Sequence, residues 1–392
     1  MNKDVPVTLT RQQRQETFWT WMDSTIRQLA GDLIARTLDM EIQAHLQAGW
    51  NQRTEARRGY RNGHYRRKLT TPHGVLQVKI PRCRSGPLDC SAVFDRYQRR
   101  IADVDRILRH AYLLGTSTRG TARLAEQVFG GTLSHQTVSR LMRWLDEQLA
   151  AWRSQPITKV YKVVYIDGMH VDIVGGDRMV MLVSGARCDG GVDVLGFSIG
   201  RGERCFELLS DLRRRGLEGV ELFVSDESVA IRSALERVYP EISWQSCTFH
   251  RLHALRNNVG STNFRDLMVS EAGCIFRCPS KLAAKDAAAV WAKRWKPLAP
   301  WPVQQFIDGL TDSLMFYNLP KCWWTRARTN NPQERLIRTL RQRLRPMGCF
   351  HDEPAIERAV FGQLARWHKL NLHTILDTIK IPPEIDRAIL DC

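Results

Sequence analysis

The stretch between Val160 and Trp244 limits the fold more than any other, because short apolar runs give way there to alternating helical and extended periodicities. Strands are expected at 160–166, 179–184 and 192–199, a helix at 203–215, a strand at 220–224, a helix at 229–239 and a short strand at 242–244. Three strands in a row form a meander, and the two helices that follow act as crossovers, so the series predicts an α/β fold with a mixed sheet. Asp167 ends the first expected strand and Asp226 the fourth. Carboxyl ends of neighbouring strands in such sheets open on one crevice, which would set these two aspartates side by side. Each has a plainer reading: Asp167 before Gly168 as a turn residue, Asp226 as the N-cap of the next helix.

Residues 247–324 are helical in pattern and too long for a connection, so they read as an inserted helical subdomain. The chain then reaches Thr329-Asn330-Asn331-Pro332-Gln333-Glu334-Arg335, where Asn331 suits an N-cap, Pro332 the first helical position and Glu334 the third. On that helix Glu334, Arg338, Arg341 and Arg345 share one face, and Leu336, Ile337, Leu340 and Leu344 the other. A glutamate at the third position is also what a capping box uses. Only in company with the two aspartates does Glu334 suggest chemistry.

The chain of 392 residues is 43% hydrophobic, enough for a core and satellite modules. Its 58 Lys+Arg against 41 Asp+Glu give a formal charge of +17, an excess that draws a polyanion and points to nucleic acid. Thirteen of those cations lie between Arg53 and Arg100, around an Asn62-Gly63 turn and an alternating strand at 75–80. A solvated basic loop is the bland alternative for any one of them. Ahead of this segment, residues 15–47 carry Phe18, Met22, Ile26, Leu29, Leu33, Ile34 and Leu38 at helical spacing, a stripe that packs within the chain or against a second copy.

A helix-turn-helix pattern follows at 101–114 and 119–129, with Gly130-Gly131-Thr132 as the turn and Ser134 capping a third helix to about Trp152. Its first turns would present His135, Gln136, Arg140 and Arg143 to DNA, with Ser134 and Arg119 beside them, and bury Val138, Leu141, Met142 and Leu145. An ordinary helical hairpin is the alternative. The expected organisation is therefore an N-terminal helical region at 1–52, a basic β-containing segment at 53–100, a DNA-binding domain at 101–155 and a catalytic domain at 156–246. The helical insertion at 247–324, the catalytic remainder at 325–380 and a tail at 381–392 complete it.

Ten cysteines without a C-x-x-C pair read as reduced thiols, and no apolar run reaches spanning length, so a cytoplasmic location is expected. Cys247-x-x-His250-x-x-His253, with Cys274 and Cys278 downstream, admits a zinc reading, although packing is the commoner use of such a pair. Trp291, Trp295, Trp323 and Trp324 are core candidates with base stacking as the alternative.

The ordered motifs carry a resemblance. Gly59-Tyr60-Arg61-Asn62-Gly63, the segment from Gly115 to Arg119, Leu133-Ser134-His135-Gln136-Thr137-Val138-Ser139-Arg140, Tyr165-Ile166-Asp167-Gly168, Val224-Ser225-Asp226, the run from Trp244 to His250 and the run from Thr329 to Arg335 resemble the Mutator-type transposases of bacterial insertion sequences. The resemblance implies a ribonuclease-H-like domain with an all-helical insertion and a DDE triad on Asp167, Asp226 and Glu334. It also implies that Cys247 and His250 support the active site. Asp226-Glu227-Ser228 stands where the family often has Asp-Gly-His, which makes Glu227 a competing ligand. Three carboxylates suit two Mg²⁺ ions, with Mn²⁺ as a substitute, one activating the attacking oxygen and one stabilising the leaving oxygen. The expectation is an enzyme of the bacterial cytoplasm and nucleoid that cleaves terminal inverted repeats to a 3′-OH and joins it to target DNA. Arg335, Arg338 and Arg341 would hold flanking phosphates, and synapsis of two ends asks for a homodimer. The rival classes are a non-catalytic sequence-specific DNA-binding protein and a ribonuclease-H-like nuclease without strand joining.

Overall fold

A computed structural model describes residues 10–84, 93, 95, 98–200, 202–260 and 262–367. The chain divides into two compact units, with the boundary between Met142 and Arg143.

The first unit begins with helix α1, Arg11–Leu46, started by a capping box in which Thr10 and Gln13 bond reciprocally. A hairpin follows, β1 at Arg61–Thr71 and β2 at Gly74–Cys83, in antiparallel register from Tyr65↔Ile80 to Thr71↔Gly74. One hairpin face, with Leu69, Leu76, Val78 and Ile80, packs on Leu38 of α1. Asn62-Gly63 is not the hairpin turn. It forms an irregularity inside β1, with Gly63 at φ 68°, and Pro72-His73 make the turn instead. Helices α2 at Ala102–Leu113, α3 at Thr118–Phe129 and α4 at His135–Leu141 pack together around Val104, Leu108, Ala125 and Phe129. Gly130 ends α3 in the left-handed conformation that glycine adopts freely, and the Ser134 hydroxyl accepts the Thr137 N–H at 3.1 Å.

The third helix does not run on to Trp152. At Met142 and Arg143 ψ rises to −8° and −19°, the bonds tighten to Met142 N–H on Ser139 O and Asp146 N–H on Arg143 O, and a separate helix α5, Trp144–Ser154, begins. Helix α5 belongs to the second unit, so the division falls ahead of the expected one at 155–156. The reason is packing: Trp152 lies between Phe197 and Phe361, while Asp146 and Arg153 pair with Arg358 and Glu357.

The second unit is built on strands β3 Val163–Ile173, β4 Gly176–Ala186, β5 Val192–Ile199, β6 Leu222–Ser225 and β7 Ser243–Ser246. Their order is β5-β4-β3-β6-β7, the first three antiparallel and the last two parallel to β3, as a meander followed by crossovers requires. Helices α6 Glu203–Arg214 and α7 Val229–Val238 cover one face, burying Val164, Ile166, Val183 and Phe223. The other face, Val163, Tyr165, Leu222 and Val224, packs on the insertion. That insertion is helical throughout its described residues: α8 Thr248–Asn258, α9 Thr262–Ile275, α10 Lys281–Trp295, α11 Pro300–Asp308, α12 Leu310–Ser313, two short 3₁₀ turns and α13 Trp324–Ala327. Helix α14, Asn331–Leu344, then returns to the sheet, and α15, Glu353–Trp367, closes the unit. The expected C-terminal residues beyond 367, including the tail at 381–392, lie outside the described residues, as does Arg96.

Candidate active site

On β3 Asp167 follows four buried residues and stands where parallel pairing with β6 has stopped, after Tyr165↔Val224. Asp167 does not end its strand, because the antiparallel ladder with β4 carries β3 on to Ile173↔Gly176. That ladder also removes the turn reading. Asp226 follows the last residue of β6, and its carboxylate accepts the Ser228 N–H at 3.2 Å, two residues on. Ser228, not Asp226, is the N-cap of α7.

Glu334 arrives from the far end of the chain on α14, and four buried polar contacts fix where that helix starts. The Asn330 side-chain amide donates to the Ile166 carbonyl at 3.3 Å, one residue before Asp167. The Asn330 backbone N–H donates to Cys247 Sγ at 3.3 Å. Gln333, fully buried, donates to the Leu182 carbonyl at 3.0 Å and accepts from the Ser184 hydroxyl on β4. With Asn330 held in this way its carbonyl accepts the Glu334 N–H, so the helix starts one residue earlier than expected. Asn330 is the cap residue and makes no side-chain cap bond, Asn331 is the first helical residue and Glu334 the fourth, which rules out the capping box. The apolar stripe Leu336, Ile337, Leu340 and Leu344 is buried as its spacing requires, and Arg335, Arg338, Arg341 and Arg345 are exposed.

The three acids lie near enough for Asp226 and Glu334 to act on Asp167 by charge. Burial pushes the Asp167 carboxyl up to about 6, the Gly168 N–H and His250 work against that, and the nearby charges of Asp226 and Glu334 add to it. Glu334 Oε1 is buried with no hydrogen-bond partner among the described residues, and His250 Nε2 lies 3.9 Å from it. The His250 ring is pushed up to about 9, chiefly by the Cys247 thiol, against the cost of burial and with help from Asp167 and Glu334. An imidazolium therefore sits among the carboxylates at neutral pH.

Glu227 is not a competing ligand. Its carboxylate pairs with the buried Arg251 and accepts the Ser246 hydroxyl at 2.8 Å, so it serves to anchor α8. The proposed zinc set does not assemble: His253 is exposed, bonding Asn257 and stacking on Phe249, and Cys274 and Cys278 lie along α9 and just beyond it. Cys247, His250 and Glu334 do converge, with ligand atoms within 4.8 Å of one another. Trp291, Trp295 and Trp323 are buried core residues and Trp324 half-buried, which removes the stacking reading for the buried three. Sequence reasoning missed Asn330 and Gln333. A run of uncharged polar residues directly before a helix of apolar and arginine stripes was the available signal.

A five-stranded mixed sheet with an acid from β3, an acid after β6 and a third from a helix beyond a long helical insertion is the arrangement on which a known family can be tested. Residues 1–370 match the model of the Mutator family of transposases. The chain belongs to that family. Among its relatives, the transposase of insertion sequence element IS406 from Burkholderia multivorans is 30% identical over 354 residues, 85% of this chain and 88% of that protein. The transposase of IS1081 from Mycobacterium tuberculosis is 30% identical over 363 residues, covering 88% of this chain and 84% of the relative. That of IS256 in transposon Tn4001 from Staphylococcus aureus is 26% identical over 356 residues, covering 88% and 90%. As a Mutator-family transposase the chain is a DNA-binding protein, and none of its described helices is long and apolar enough to cross a membrane.

Proposed function

We propose that this Mutator-family member is a DDE transposase that cleaves the terminal inverted repeats of an insertion sequence and joins the freed 3′-OH ends to target DNA. Asp167, Asp226 and Glu334 are its catalytic and metal-holding acids on a ribonuclease-H-like sheet. The observation that carries the reading is the approach of these half-buried acids to one another, with Asp167 pushed up to about 6 and a Glu334 oxygen left without a donor. Carboxylates within range of one another's charge, one oxygen of them buried without a donor, fit a pair of hard divalent cations, Mg²⁺ or Mn²⁺, whose usual ligands are carboxylates. When bound, such ions polarise the phosphodiester and stabilise the attacking and leaving oxygens.

The chain's own groups do the rest. Gln333 and Asn330 hold Glu334 against β3 and β4. Cys247 and His250 support the site, and the imidazolium balances the acids while no cation is there. Arg335, Arg338 and Arg341, exposed on the same helix, hold phosphates beside the scissile one. In the first step water adds to phosphorus as the bond to the 3′ oxygen breaks. In the second the freed 3′-OH adds to a target phosphorus and displaces that strand's 3′ oxygen, with no protein–DNA covalent link.

DNA contact by α3 and α4 as a helix-turn-helix fits the exposure of Arg119, Ser134, His135, Gln136 and Arg140, with Arg143 beyond them and Val138 buried. A homodimer through α1 fits the same logic. Leu38 is used inside the chain, whereas Phe18, Leu29 and Leu33 are 50%, 63% and 62% exposed. The test is incubation of the chain with Mg²⁺ and duplexes carrying matched terminal repeats. End-specific cleavage with strand joining is expected. Binding alone, or nicking without regard to the ends, would sink the proposal.

A further inference from the structure

The basic segment of the first unit divides into two kinds of cation. Some are used up by the fold: Arg61 pairs with Asp39 at 2.6 Å and lies over Trp50, Arg100 pairs with Asp105 at 2.6 Å, and Arg57 and Arg82 lie over Tyr60 and Tyr65. Of the others, Arg66, Lys68 and Lys79 stand on the hairpin face turned away from α1. In the antiparallel register Arg66 is opposite Lys79 and Lys68 opposite Gln77, all four exposed, and Arg66, Lys68 and Lys79 make no ion pair among the described residues. Like charges directly opposite on a strand pair destabilise it, so such a face is held ready for an anion.

This face runs into an open cleft of about 1170 Å³ whose lining includes Lys68, Gln77, Arg99, Thr137 and Arg140. The cleft is braced on both sides. Residues 99–101 are laced to β1, with Thr70 N–H on the Arg99 carbonyl at 2.8 Å and Ile101 N–H on the Thr70 carbonyl at 3.1 Å. On the other side Gly131 touches the hairpin so closely that a Cβ there would stand 2.9 Å from Thr70 Oγ1. Exposed Arg99 and Arg140 thus face one gap with Lys68, and Asp95 is the acid there that has no ion pair among the described residues.

We infer that the outer hairpin face and this cleft form a phosphodiester track that grips the backbone of duplex DNA beside the bases facing α4. The inference rests on the DNA-binding part of the proposed function and adds to it which cations carry the load. The occupant is duplex backbone because the cleft is wide, open and cationic, and because Arg66 and Lys79 extend its charge along the hairpin beyond the gap. Contacts of this kind fix register and carry no sequence information.

Full-length chain is titrated by fluorescence anisotropy with a duplex bearing a terminal repeat and with a scrambled duplex, over a range of salt. Lys68→Ala, Lys79→Ala and Arg99→Ala should each weaken both duplexes alike, about 5- to 10-fold at 0.1 M salt, and lower the slope of log K against log salt by about 0.9. Arg61→Ala and Arg57→Ala remove the same charge from used positions outside the cleft and should leave that slope unchanged. Wild-type binding that is unmoved by the three variants, or moved equally by the two controls, overturns the track while leaving the acid site standing. A wild-type chain that binds neither duplex overturns both.

Discussion

The acid site and the cationic hairpin face solve opposite electrostatic problems. In the first, a few half-buried carboxylates are gathered beside one imidazolium, where each acid raises the cost of the next and neutral polar groups hold the frame. In the second, cations are spread over an exposed surface, where water and salt screen each one. Loss of one member should therefore be severe in the first and graded in the second.

The largest effect expected is that of Asp167→Asn, which should cut strand cleavage by at least about 10²-fold while duplex affinity stays within about twofold. Gel-based cleavage beside anisotropy checks this, and retained cleavage breaks the contrast. Next, Gln333→Leu removes no charge yet leaves the Leu182 carbonyl and Ser184 hydroxyl unpaired. It should lower cleavage about 10- to 100-fold through a displaced Glu334 and cost about 1–3 kcal/mol in denaturant unfolding. Normal activity in that variant would mean that the frame does not position the acid.

On the exposed side, Leu29→Glu with Leu33→Glu should weaken self-association about 10-fold or more by placing charge on an apolar face, as read by sedimentation. An unchanged oligomeric state removes α1 as the contact. The smallest effect is a pH dependence measured without divalent ions. His250 is raised from 6.5 to about 9, so its contribution to stability is complete below about 6.5 and lost as pH climbs to about 9. Asp167 works in another window: raised from 3.8 to about 6, it keeps its proton longer when folded, so stability falls as pH rises from about 4 to about 6. His250→Gln should abolish the alkaline decline in denaturant midpoints and leave the acidic one largely in place.

Much of this was legible beforehand. Short apolar runs located every strand of the sheet and the 3.6 period both crossover helices, because a strand covered on both faces is apolar throughout and a helix buried on one face repeats every 3.6 residues. The Gly130 turn and the Ser134 cap were equally readable, since each satisfies a local backbone need. What failed was decided between segments. The extension of β3 past Asp167 depends on β4, the end of α4 on local tightening at Met142 and on the burial of α5 with α15, and the start of α14 on Asn330 being claimed by Ile166 and Cys247. Glu227, equal to its neighbour Asp226 on paper, was removed from contention by Arg251, a residue 24 positions away.

The sequence by itself determined the element types and the net charge, because periodicity and composition act locally. Tertiary structure alone decided which acid has a cation partner, which arginines are spent on the fold and where the last helix starts. Those outcomes depend on desolvation and hydrogen-bond partners, and a linear chain has neither until distant segments exclude water from one another.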